Sequence, residues 1–282
     1  MKKIKFFVSL FFFATILVSC TKDNDQSVSA SSTTEIANRK NNSTKFFVAR
    51  PFVNRVLVEE YSGTWCGNCP NILYGTQLLH QQTYKEVSVQ IHRGNDPFVT
   101  AAGNTIATEQ NVVGVPTGKI NRTINWTGPQ YQNINQVINE IKPSSNIGLA
   151  INSTLSTNGS INLNVVIGFT TTSIQSKLVV YIVEDNLFHS QANYYSNLFG
   201  GQNPIPNFEY DGVLRSVVTN TTGDILYLTG NQIQKNYSFS MPNNITTISN
   251  VKIVAFLIDD NTNSVLNVRQ ATIGETQLLE RI

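Results

Sequence analysis

Two cysteines, Cys66 and Cys69, stand three positions apart in the run Thr64-Trp65-Cys66-Gly67-Asn68-Cys69-Pro70. Thiols at this spacing can share a disulfide, exchange it with another protein, or supply half the ligands of a zinc ion. Zinc needs two more ligands. There is no second Cys-x-x-Cys, and His80, His92 and His189 are too scattered to show ligand spacing. A bridge kept for stability alone would gain little, because so short a loop removes little entropy from the unfolded chain. Disulfide exchange is therefore the leading chemistry, with a structural bridge as the alternative and no metal or cofactor expected.

Exchange asks for one thiol that attacks and a second that resolves the mixed disulfide. Strand formers fill residues 55–61 ahead of the pair, and the pattern after them predicts a helix over 66–82 with Ile72, Leu73, Leu79 and Tyr84 facing inward. Cys66 would then cap the helix, where unpaired N–H groups and the positive end of the dipole favour thiolate. This assigns Cys66 as nucleophile and Cys69 as resolving thiol. A second strand over 87–91, parallel to the first, delivers His92 to the same edge. There it can stabilise a thiolate or shuttle a proton, or simply be a solvated loop residue. A short helix over 104–110 follows, and Tyr131, Ile134, Ile138 and Ile141 recur at helical spacing as a core stripe.

Trp65-Cys66-x-x-Cys69, followed about fifty residues later by Gly114-Val115-Pro116-Thr117, resembles the thioredoxin superfamily. The resemblance implies an α/β fold with a cis bond before Pro116 set against the thiols. It also implies an extended substrate chain docked along Val115, beside Trp65 and Thr117. Glu60, six residues before Cys66, falls where the family carries a buried acid that moves protons for the resolving cysteine. The residues alone also allow an exposed glutamate at a strand end, with Glu59 adjacent. Gly67-Asn68 replaces the Gly-Pro of reducing thioredoxins, and Pro70 stands where they have lysine, so the direction of exchange stays open.

The chain of 282 residues begins with Lys2, Lys3 and Lys5, an apolar stretch over 6–18, and Leu17-Val18-Ser19-Cys20. The stretch is shorter than the roughly 17–25 residues of a spanning helix, and its end resembles a bacterial lipobox with Cys20 as the lipidated residue. Residues 1–19 are therefore expected as a lipoprotein signal peptide and 20–44, rich in Ser, Thr and Asn, as a flexible tether. Lys22-Asp23-Asn24-Asp25 resembles the acidic surface-sorting signals of Bacteroidetes lipoproteins, and a solvated linker reads equally well. Without the three signal lysines, 17 basic residues face 18 acidic ones, so no basic surplus remains to track a phosphate backbone. Nucleic-acid binding is set aside. The Asn-x-Ser/Thr triplets, such as Asn125-Trp126-Thr127, follow from the abundance of Asn and Thr.

Residues 45–144 are expected as the thioredoxin-like domain and 145–282 as an all-β, sandwich-like domain. Its short alternating runs fall at 148–155, 160–170, 177–184, 213–219, 234–241, 250–259 and 264–271. Between the third and fourth runs lies a long loop over 186–211 carrying Phe188, Tyr194, Tyr195, Phe199, Phe208 and Tyr210. These aromatics either pack the loop onto the sheet or line a groove. The whole order, with Tyr181-Ile182-Val183-Glu184-Asp185, Val213-Leu214-Arg215 and Val254-Ala255-Phe256, resembles the twenty-eight-kilodalton outer-membrane lipoprotein family of Bacteroidetes. Together the two resemblances imply a lipid-anchored thiol–disulfide oxidoreductase of the envelope, with cysteine-containing envelope proteins or a redox partner as clients. The competing reading is a ligand-binding lipoprotein whose thioredoxin-like half is a scaffold. The two separate on whether Cys66 is exposed or both sulfurs are buried.

Overall fold

The computed structural model of the chain describes residues 50–171 and 175–282. The signal, the lipobox at Cys20 and the tether lie outside the described residues. The fold is mostly β-sheet with few helices. In chain order it runs β1 (Val56–Ser62), α1 (Pro70–Gln82), β2 (Glu86–His92), α2 (Ala101–Glu109), β3 (Thr117–Ile120), β4 (Ile124–Trp126) and α3 (Ile134–Ile138). There follow β5 (Ile147–Leu155), β6 (Ser160–Phe169), β7 (Ser176–Glu184), β8 (Leu187–Gln191), β9 (Ile205–Tyr210), β10 (Val213–Val217) and β11 (Asp224–Leu226). The last strands are β12 (Gln232–Ser240), β13 (Val251–Asp259) and β14 (Val265–Thr272). No helix among the described residues is long and apolar enough to cross a membrane.

The stretches expected as two domains share one sheet of order β14-β13-β7-β10-β2-β1-β3-β4, with β11 also on β7. The seam is β10 beside β2, parallel at Val213 and Gln90, where the Gln90 N–H donates to the Gly212 carbonyl at 2.9 Å. Gly212 sits at φ +66°, and a Cβ there would meet the Ser88 carbonyl oxygen at 2.7 Å, so the close approach depends on glycine.

Strand alternation sorts side chains onto the two faces. Leu57, Val89, Ile91, Tyr181, Leu214 and Phe256 point one way and pack with Ile106 of α2. Val56 and Val58 point the other way, with Ile72, Leu73 and Leu79 of α1, Val137 of α3, and Tyr210 of β9. Further along that second face, β5, β6 and β12 form a three-stranded sheet whose inner residues Leu149, Ile151, Val165 and Ile167 close on Val180, Ile182, Ile253 and Ala255. The larger sheet that these strands cover also includes β1 to β4 of the first half. β7 and β13 are covered on both faces, which is why 178–183 and 253–258 read as unbroken apolar runs. Each such side chain, fully removed from water, contributes about 1.5–3 kcal/mol.

Two helix expectations need correction. The first helix begins at Pro70 with Cys69 as its N-cap, four residues later than expected, because a proline at the first helical position fixes the start. Tyr84 lies beyond it and is exposed. The stripe at 131–141 yields a helix of only five residues, whose fully buried member is Val137. Ile134, Ile138 and Ile141 pack half-buried on the core.

The disulfide loop and its cover

The sulfurs of Cys66 and Cys69 are 2.07 Å apart, closing the bridge. Cys66 is not at the helix start. Its N–H donates to the Gly63 carbonyl (3.0 Å), and Cys69 in turn donates to the Cys66 carbonyl (3.1 Å), so the cysteines bracket a tight turn that feeds α1. The helix cap is therefore Cys69, not Cys66 as expected. Neither sulfur-bearing residue is open to solvent: Cys66 is 5% exposed and Cys69 fully buried.

What covers them is the segment expected as a long aromatic loop. β8 and β9 form an antiparallel hairpin there, with register Leu187↔Tyr210 and His189↔Phe208. The chain leaving β8 runs along the cysteine turn. Ala192 N–H donates to the Thr64 carbonyl and Tyr194 N–H to the Gly67 carbonyl, each at 2.8 Å. The buried Gln191 amide donates to the Cys66 carbonyl at 2.9 Å, and its oxygen accepts from the Tyr210 hydroxyl at 2.7 Å. The Tyr194 ring lies flush on Gly67, where an added Cβ would stand 2.5 Å from it. Most of the aromatics pack: Phe199 on Phe208 at 5.0 Å, Phe208 on Tyr210 at 4.8 Å, and Tyr195 towards Tyr131 at 6.4 Å. Phe188 and Tyr194 keep most of their surface in solvent.

A second brace comes from Asp96, which sequence reading passed over. Its carboxylate accepts from the Thr64 N–H (2.6 Å) and the Phe98 N–H (2.8 Å) and faces His92 Nδ1 at 3.0 Å. Burial works against this charge, but the His92 contact and the two backbone N–H groups outweigh it and hold the carboxyl below its ordinary pKa. His92 itself is not a solvated loop residue. It ends β2, is buried, and stands edge-on to Phe98 and Tyr210, both at 5.2 Å. A carboxylate four residues beyond a strand-end histidine was the available signal for this pair.

Glu60 and Glu59 both lie fully buried on β1 but face opposite ways. Glu60 points under α1, where Oε1 accepts from the Thr76 hydroxyl at 2.6 Å and Oε2 has no partner. Burial, aided by the charge of Glu86, raises its pKa from 4.5 to about 7. The reading of an exposed strand-end glutamate is thereby corrected. Glu59 points to the α2 side, accepting from Arg122 (3.3 Å) and the Tyr181 hydroxyl (2.8 Å) in a closed buried triad. Trp65 is half exposed, its indole N–H held by the Arg93 carbonyl at 2.8 Å. Pro116, after a cis peptide bond from Val115, and Thr117 line a cleft of about 350 Å³ together with Asn71 in the first turn of α1. The Val115 side chain packs against the core.

Comparison with known proteins gives one family. The family described as Outer membrane protein Omp28 matches residues 104–277. The chain belongs to the Omp28 family. The family is one of outer membrane proteins, which places this chain at the outer membrane. The family match begins beyond Cys66 and Cys69, so membership is silent about the thiols. Among solved structures, HBP35 of Porphyromonas gingivalis shares the fold at TM-score 0.63 and 16% identity, covering 80% of this chain and 77% of that one. A domain of the outer membrane lipoprotein Omp28 from Porphyromonas gingivalis is 20% identical over 48% of this chain and 93% of that one, at TM-score 0.33. No curated protein matches the chain.

Proposed function

We propose that this Omp28 protein is a lipid-anchored binding lipoprotein of the outer membrane, in which the half before residue 145 is a thioredoxin-like scaffold. In this reading the Cys66–Cys69 bridge is structural. The observation that carries it is the burial of both sulfurs beneath the segment after β8, which fastens to Thr64, Cys66 and Gly67 through three hydrogen bonds. An attacking thiolate on a client needs an open line to one sulfur, and burial of both cysteines works against that approach. Tethering through Cys20 would hold the folded body at the membrane surface, free to meet its ligand.

One observation favours the second reading, a lipid-anchored thiol–disulfide oxidoreductase acting on cysteine-containing envelope proteins or a redox partner. Glu60 is a buried carboxyl with a pKa near neutrality, the property a proton donor for a resolving thiol requires. In that reading Cys66 attacks, Cys69 resolves, and Trp65, Val115 and Thr117 meet the client once the cover lifts. Equilibration of the full chain in defined thiol buffers, followed by trapping of free cysteines, separates the two. A bridge that stays oxidised below about −300 mV supports the scaffold. A potential between about −270 and −120 mV, with rapid alkylation of Cys66, would replace it with the oxidoreductase.

A further inference from the structure

The outer face of the three-stranded sheet β12-β6-β5 carries no charge along its centre. Cross-strand register places Thr154, Asn162 and Ser238 in one row and Asn152, Asn164 and Asn236 in the next. The chain after β14 turns back alongside as one wall, bridging Asn152 through Thr276. Together they line a concave site of about 420 Å³, within the range of small-ligand sites, and none of its lining residues is Asp, Glu, Lys, Arg or His.

The amides are fixed by one another. Asn152 Oδ1 accepts from the Gln277 N–H at 2.7 Å, and its Nδ2 donates to Asn164 Oδ1 at 3.3 Å. Asn164 Nδ2 donates to Asn236 Oδ1 (2.8 Å) and to Gln234 Oε1 (3.1 Å). Among the described residues, this wiring leaves the Asn236 amide N–H groups without a partner. Among the described residues, the side chains of Asn162, Thr154, Ser238 and Thr276 make no hydrogen bond within the protein, so they add free donors and acceptors to the same surface. Holding polar groups in place before a ligand arrives removes part of the ordering cost of binding.

The chemistry of the lining selects the occupant. An anion or cation would shed hydration and find no counter-charge. A lipid or apolar helix would strip water from amides and hydroxyls without replacing their hydrogen bonds. A neutral saccharide carries hydroxyls that both donate and accept, and can satisfy each row as water does. We infer that this amide-lined face of β5, β6 and β12 binds a neutral oligosaccharide. The inference rests on the binding-lipoprotein reading and gives it a site and a ligand class.

The test is saturation-transfer NMR on the full chain held in a detergent without a sugar headgroup, with maltohexaose, cellohexaose and mannohexaose as probes. Transfer to at least one neutral hexasaccharide is expected. Replacing two exposed anchors, Asn162→Ala with Ser238→Ala, should weaken binding at least about fivefold with the melting curve unchanged. No transfer to any of the three would overturn the inference. So would transfer that survives the double substitution, equal binding of a sulfated hexasaccharide, or self-association of the chain through this face in place of sugar binding. A redox-active bridge would leave these outcomes unaffected, and absence of saccharide binding would leave the structural bridge standing, so the two failures are distinguishable.

Discussion

Glu60→Gln should make this protein more stable in mild alkali while leaving it nearly unchanged in acid. The carboxyl is fully buried under α1, with one oxygen bonded to Thr76 and the other unpartnered, and burial raises its pKa from 4.5 to about 7. A folded-state pKa above the unfolded value means that the folded protein binds the extra proton between those limits. Stability is therefore full below about pH 4.5 and declines as pH rises to about 7, beyond which the loss is complete. At 1.36 kcal/mol per pKa unit, that loss is about 3 kcal/mol. Glutamine imitates the protonated acid in shape, keeps an oxygen for Thr76, and has no charge to bury. For a body of this size 1 kcal/mol moves the melting temperature by about 2–4 °C, so the variant should melt roughly 6–12 °C above the parent at pH 8. At pH 4.5 the two should coincide. The groups facing Glu60 are Thr76 and His80 on α1 and Glu86 and Ser88 on β2. Because these groups are present in both proteins, their contributions largely cancel, and the difference between the curves reports Glu60 together with its coupling to His80 and Glu86. The assay is thermal denaturation by circular dichroism at constant ionic strength from pH 4.5 to 8.5. A gap that does not change with pH, or a variant that melts lower at pH 8, would refute the assignment of a buried neutral acid.

Two further outcomes concern the cover. Gly67→Ala should accelerate reduction of the Cys66–Cys69 bridge by dithiothreitol at least about tenfold, because the new methyl would stand 2.5 Å from the Tyr194 ring and lift it. The measure is the rate of thiol release, and an unchanged rate would mean that Tyr194 does not shield the sulfurs. Asp96→Asn should destabilise the fold by roughly 2 kcal/mol at neutral pH, since it removes a charge-assisted acceptor for Thr64, Phe98 and His92. The Asp96 pKa is depressed in the folded state, so its contribution is present above the unfolded carboxylate value and is lost as pH falls through the folded one. The gap between variant and parent in urea denaturation should therefore narrow in acid.

Local patterns carried much of this architecture. The seven later strands are legible because alternation and β-branched runs persist, for eight to ten residues in all but β10, and β7 and β13 stand out as unbroken apolar runs. The Cys66–Cys69 pairing needed only the spacing. A helix after the cysteines was also legible, but its start was displaced because Pro70 outweighs any tendency of Cys66 to begin it. The strands β8 and β9 were hidden inside an aromatic stretch whose residues are exposed and buried without a steady period, since one side meets α1 and the other meets solvent.

How the thiols are covered was visible only in three dimensions. The sequence determined that two thiols share one tight turn, that an acid precedes them by six residues, and that a β-rich half follows. It could not show that residues 191–194, more than a hundred positions later, return to hydrogen-bond that turn, because accessibility depends on contacts far apart in the chain. It could not sort Glu60 from Glu59 either, because adjacent residues on a strand are distinguished only by which face packs against what. The charge-free face of β5, β6 and β12 arose in the same way. Asn152, Asn164 and Asn236 are ordinary asparagines in sequence, and pairing of three strands sets them in one row.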